Sequence, residues 1–128
     1  MAQSEVVLAL DAGALIAAGK GRRIDALVKI WLDKGASVII PVPAIAEAIR
    51  GRSSDAAANR LIKAANVAET TEAIARDAGA RLAAAKSSGT LDALIVATAE
   101  ANFATDILTT DPDDLRALAS ANLNVIAL

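Results

Sequence analysis

Four acidic residues stand where chemistry could be built. Asp11 ends an apolar run, Glu47 and Asp92 lie in helical patterns, and Asp111 opens the stretch "DPDD". The chain has no histidine, cysteine or tyrosine. That excludes a Ser-His-Asp triad, histidine-ligated zinc, thiolate metal sites, cysteine nucleophiles and disulfides. Carboxylates without histidine suit a hard cation such as Mg2+ or Mn2+. Two carboxylates about 4 Å apart repel by roughly 4 kcal/mol at an effective dielectric near 20. Several converging on one place therefore call for a neutralising cation, and a cation so held serves phosphodiester chemistry.

Each acid also has an ordinary reading. Asp11 fits a helix N-cap. Asp111 at N-cap, Pro112 at N1 and Asp114 at N3 make a good helix start. Asp92 in a first helical turn complements the helix dipole, and Glu47 fits a solvated helix face. What separates these readings from a shared site is where the elements put the four residues.

The elements alternate. "EVVLAL" (5–10) reads as a buried strand, and "AGALIAAG" (12–19) as a short helix. "GKGRR" (19–23) is a basic loop. Residues 22–34 carry Ile24, Leu27, Val28, Trp31 and Leu32 on one helix face, with Gly35 as the stop. "SVIIPV" (37–42) is a second strand, and Pro43 opens a helix whose stripe is Val42, Ile45, Ala46 and Ile49. A helix over 53–65 is capped by serine and has the stripe Ala58, Leu61, Ile62 and Ala65. "NVAET" (66–70) is a short third strand. Helices follow over 71–86 and 90–102, broken by "SSG". A strand ends at Thr109, a helix covers 111–122, and "LNVIAL" (123–128) is the last strand. This order predicts one α/β domain over 1–128, a central parallel sheet flanked by helices on both faces.

In such a sheet ligands bind outside the carboxyl ends of the strands. Asp11 and Asp111 follow strands directly and face that rim, and Glu47 starts near it. Asp92 follows a helix, so this rule leaves its place open.

The motifs "LALDAGALIA", "IPVPAIAEAIRG", "GTLDALIVATAEAN" and "ILTTDPDDL" span the chain in that order. Together the sequence resembles the PIN domain, and within it the VapC-type toxin ribonucleases of bacterial toxin–antitoxin pairs. The resemblance implies a Mg2+- or Mn2+-dependent endoribonuclease whose metal is held by Asp11, Glu47, Asp92 and Asp111. It brings the helix of Asp92 to the rim. It matches Thr109 to the hydroxyl of a T-x-D motif, and makes Asp114 an accessory acid and Asp113 an exposed one. One departure stands out: Gly13 occupies a position where many relatives carry serine or threonine.

The net charge of −2 gives no global attraction to nucleic acid, so RNA must be held by a local patch. Lys20, Arg22, Arg23, Arg50 and Arg52 are the candidates, against an ordinary reading as loop charges and helix C-terminal cations. With only two aromatics for stacking, shape recognition of a structured RNA such as tRNA fits better than reading of unstacked bases. The resemblance further implies a cognate antitoxin, for which the Ala-rich helices at 42–65 offer a groove, and a homodimer. Glu5 and Asp11 in the apolar start argue against a signal peptide or membrane span, so a cytoplasmic protein is expected. The rivals are a PIN-like module that binds without cutting, a receiver-like phosphoacceptor, and a phosphatase or DNA nuclease on the same acids. A receiver should show an acidic pair at the first strand and a lysine after a late one, and neither is present.

Overall fold

The computed structural model describes residues 5–20 and 23–128. Among the expected site residues, Arg22 lies outside them. Five strands, β1 (Val7–Leu10), β2 (Ser37–Pro41), β3 (Asn66–Ala68), β4 (Asp106–Thr109) and β5 (Asn124–Ala127), form one sheet in the order β3-β2-β1-β4-β5, and every pairing is parallel. All four residues of β1 are buried. Successive strand residues point to opposite faces, so the sheet is covered on both sides. The apolar runs without alternation follow from that double burial.

Seven helices accompany the strands: α1 (Ala12–Gly19), α2 (Ile24–Asp33), α3 (Val42–Ala48), α4 (Ala56–Ala64), α5 (Glu72–Ala85), α6 (Thr90–Ala101) and α7 (Pro112–Arg116). Helix α1 packs against α2, α3 and α4. Its buried residues are four alanines and Leu15, and small side chains permit that close approach. The chain reverses direction of travel across the sheet at β1, whose neighbours are β2 and β4. A crevice therefore opens between the carboxyl ends of β1 and β4, where such folds bind ligands.

Three sequence expectations shift. In α3 the inward residues are Pro43, Ala44 and Ala48, while Val42 and Ala46 are exposed. The helix stops at Ala48 with Ile49 extended; Ile45 and Ile49 pack against the core as expected, and only Val42 and Ala46 fall off the stripe. The turn before α4 is closed by Asp55 instead of a serine. Its carboxylate accepts the backbone N–H of Arg50 at 2.8 Å and of Arg52 at 2.9 Å, with the Arg52 guanidinium at 3.1 Å. Those donors hold the Asp55 carboxyl down at about 2, the backbone bonds from Arg52 and Arg50 being the main causes. Finally, α7 covers five residues, where a helix over 111–122 was expected. The following turns are recruited elsewhere: Arg81 donates to the Leu118 carbonyl at 3.0 Å, and the Ser120 amide donates to Glu100 at 2.8 Å. Arg81 also pairs with Asp77 at 2.9 Å and Glu100 at 2.8 Å, tying α5, α6 and the segment after α7 together.

Candidate active site

The register Leu10↔Leu108 sets the ends of β1 and β4 side by side. The Asp11 amide continues the ladder by donating to the Leu108 carbonyl at 3.0 Å. Asp11 takes the N-cap position of α1, yet its side chain makes no capping hydrogen bond. Its Oδ2 instead accepts the Thr109 hydroxyl at 2.6 Å, and the same Thr109 oxygen accepts the Asp111 amide at 2.9 Å. Thr109 is fully buried and Asp11 is 3% exposed. The other oxygen, Asp11 Oδ1, is buried without a hydrogen-bond partner among the described residues.

An orphaned carboxylate oxygen is costly in a dry site. Burial pushes the Asp11 carboxyl up, the Thr109 hydroxyl and the Ala12 amide pull it back, and the charge of Asp111 adds to the rise. Asp111 likewise stands at the N-cap of α7 with no side-chain cap, so the helix-start reading accounts for its backbone place and leaves its carboxylate uncommitted.

Asp11, Glu47, Asp92 and Asp111 line one cavity of about 290 Å3, with Lys20, Gly13 and Thr110 on its wall. Glu47 comes from the second turn of α3, directly after β2. Asp92 comes from the first turn of α6. What places it is the element that follows: α6 leads into β4 through a four-residue connection. It must end at the amino edge of the sheet, and its 12 residues, about 18 Å long, bring its start back to the carboxyl rim. The sequence carried that signal in the strand after the helix.

The four acids feel one another. Asp92 is pushed up to about 6, first by burial and then by the charges of Asp11, Glu47, Asp114 and Asp111. Glu47 is raised by burial, then by Asp11 and Asp111, with Arg50 opposing. Among the described residues, no three acidic side chains stand close enough to form a ready-made metal cage. The donor set is all oxygen, and one buried oxygen is bare, which fits a hard cation. Asp114 is exposed beside Asp92 on a neighbouring hollow, and Asp113 is exposed with Arg116 as its partner.

The basic candidates divide. Lys20 lines the acid cavity and, with Arg52, an adjoining hollow of about 140 Å3. Arg50 turns back onto its own helix, donating to the Ala46 carbonyl at 2.7 Å and the Ile49 carbonyl at 3.1 Å. Arg23 is exposed at the start of α2. Sequence reasoning missed Thr110, which closes over Gly13 at the cavity wall.

Among solved structures, VapBC2 from Rickettsia felis bound to a promoter DNA fragment is similar at 13% identity and a TM-score of 0.74, over 96% of this chain and 99% of that one. A toxin-antitoxin complex from Klebsiella pneumoniae matches at 20% identity and a TM-score of 0.70, over 91% and 94%. VapC20 of Mycobacterium tuberculosis, a Sarcin-Ricin loop cleaving toxin, matches at 17% identity and a TM-score of 0.60, over 78% and 86%. These likenesses are of fold. No curated protein matches in sequence. The described residues contain no helix long and apolar enough to cross a membrane. The PIN domain profile matches residues 8–120, and with the parallel sheet and the acids at its switch point, the chain belongs to the PIN domain family.

Proposed function

We propose that this protein is a divalent-cation-dependent endoribonuclease, the toxin of a toxin–antitoxin pair acting in the cytoplasm. The observation that carries the reading is Asp11: buried, held through one oxygen by Thr109, without a hydrogen-bond partner at the other among the described residues, and lining a cavity shared with Glu47, Asp92 and Asp111. A structural carboxylate would have both oxygens satisfied. Similarity of fold to a toxin that cleaves the Sarcin-Ricin loop, and to toxin–antitoxin complexes, supports the same assignment.

Asp11, Glu47, Asp92 and Asp111 would hold Mg2+ or Mn2+. Such a cation, when bound, stabilises negative charge on a phosphodiester and acidifies water. The chain supplies the rest. Asp11 is the fixed member, pinned by Thr109, while the other three carboxylates sit on more accessible positions and adjust. One of them orients the attacking water, and Asp114 reinforces the local field. Lys20, on the wall of the acid cavity, tracks the RNA backbone, with Arg52, paired with Asp55 on the adjoining hollow, and Arg23 at the periphery. A structured RNA suits a chain so poor in aromatics. The antitoxin would lie along the groove of α3 and α4, and a homodimer is the assembly expected by analogy.

The test is digestion of total cellular RNA by purified protein with Mg2+ or Mn2+, beside EDTA and an Asp92→Asn variant. Metal-dependent cuts missing from the variant support the reading and map the target. Intact RNA, with the fold verified and metal bound, would leave a binding module.

A further inference from the structure

Gly13 is the second residue of α1, where glycine is a poor helix former. Its backbone does not require it: the positive-φ glycines are Gly35 and Gly51. Space does. A Cβ at residue 13 would collide with Thr110 Oγ1, and would come within 3.0 Å of the Thr110 amide nitrogen and 3.1 Å of its Cβ. Rotating the threonine cannot relieve contacts that include its own backbone. Gly13 is therefore the room in which Thr110 stands.

That room lies on the wall of the acid cavity, and Thr110 provides the one hydroxyl among the residues lining it. The neighbouring threonine is committed: Thr109 is buried, its hydroxyl donates a hydrogen bond to Asp11, and it accepts one from the Asp111 amide. Thr110 is exposed. A phosphodiester brings only acceptor oxygens to a wall of carboxylates, which also only accept. The side-chain donors there are the Lys20 ammonium and the Thr110 hydroxyl, and the hydroxyl adds no charge.

We infer that Thr110 positions the RNA phosphate at the acid centre, donating a hydrogen bond to a non-bridging oxygen, and that Gly13 leaves the space that admits it. The inference rests on the nuclease reading and assigns a residue within it.

Thr110→Val keeps the shape and removes the hydroxyl, Thr110→Ser keeps the hydroxyl, and Gly13→Ser with Thr110→Gly returns a hydroxyl from the opposite wall. Initial rates on the RNA fragment mapped from the total-RNA digest would give kcat and KM. Isothermal titration with inorganic phosphate in Mn2+ gives a second readout independent of turnover. Loss of one hydrogen bond to a charged oxygen predicts a fall in kcat/KM and phosphate affinity of roughly ten- to a hundredfold for Thr110→Val. Thr110→Ser and the double exchange retain them, and Mn2+ affinity and melting temperature do not move. Equal kcat/KM and phosphate affinity in wild type and Thr110→Val, or no phosphate binding by wild type, overturns the inference. If wild type cuts no RNA, the nuclease reading fails by itself, and the phosphate titration still decides Thr110.

Discussion

Asp92→Asn should make the metal-free protein more stable while abolishing its activity. The Asp92 carboxyl rises from 3.8 to about 6 because folding buries it among other acids. At about 1.4 kcal/mol per pH unit, that rise corresponds to roughly 3 kcal/mol of destabilisation above pH 6. Solvent reaching this part-exposed group reduces it to about 1–2 kcal/mol. The sign follows from linkage: the folded state holds the proton over a range where the unfolded state has lost it, so stability falls as pH rises from about 4 to about 6. Below that window both states are protonated and the penalty is absent. Asparagine carries no such penalty at any pH. For a domain of this size 1 kcal/mol is worth about 3–5 °C, so Asp92→Asn should melt about 3–10 °C higher at pH 7.5 in EDTA, and close to wild type at pH 4. Thermal unfolding followed by circular dichroism reads this directly. Mn2+ should raise the wild-type melting temperature and leave the variant nearly unmoved. A variant no more stable than wild type at pH 7.5, or a difference that persists unchanged to pH 4, would refute the claim that the acids strain one another.

Three further outcomes follow from the geometry. Thr109→Val leaves the buried Asp11 without its hydroxyl donor and should cost about 1–3 kcal/mol in urea unfolding at pH 7; wild-type stability would show that the 2.6 Å bond contributes nothing. Arg81→Ala strands the part-buried Glu100 and frees the Leu118 carbonyl, with an expected loss of about 1–3 kcal/mol. Hydrogen exchange should show that loss concentrated in the segment after α7, and a uniform change would count against the lock. Asp55→Ala should lower the melting temperature at neutral pH through loss of the two backbone donors' partner. Because folding lowers the Asp55 carboxyl from 3.8 to about 2, its contribution is complete above about pH 4 and disappears as pH falls toward 2; a difference from wild type that holds at pH 2 would exclude the charged carboxylate as its source.

The sheet was legible because doubly buried strands leave apolar runs such as "LAL" and "VII", bounded by turns, and because their alternation with helices admits few topologies. Asp11 and Asp111 were placeable from their strands alone. Asp92 is placed by the family resemblance, because the helix before α6 fixes no position on the rim; the strand after α6 does. Helix ends were less legible. The shortening of α7 depends on Arg81 and Glu100, which lie far off in sequence and take up the polar groups a longer helix would have used. In α3 the expected stripe meets the core at Ile45 and Ile49 and misses it at Val42 and Ala46, because Pro43, Ala44 and Ala48 form the inward face. The wall contact between Gly13 and Thr110 joins positions 97 residues apart, and no local pattern announces it.

The pairing of β1 with β4 has a consequence for how the chain is made. The bond from Thr109 to Asp11 spans 98 positions, so the two halves of the centre leave the ribosome far apart in time. The first strand, destined for the middle of the sheet, has only one of its two neighbours until β4 emerges. Parallel pairings of such long range form late and slowly. A nascent chain thus carries Asp11, Glu47 and Asp92 without the hydroxyl that pins the first of them or the fourth carboxylate. The centre is completed only once Thr109 and Asp111 have been made, and a chain cut short before Thr109 cannot assemble it.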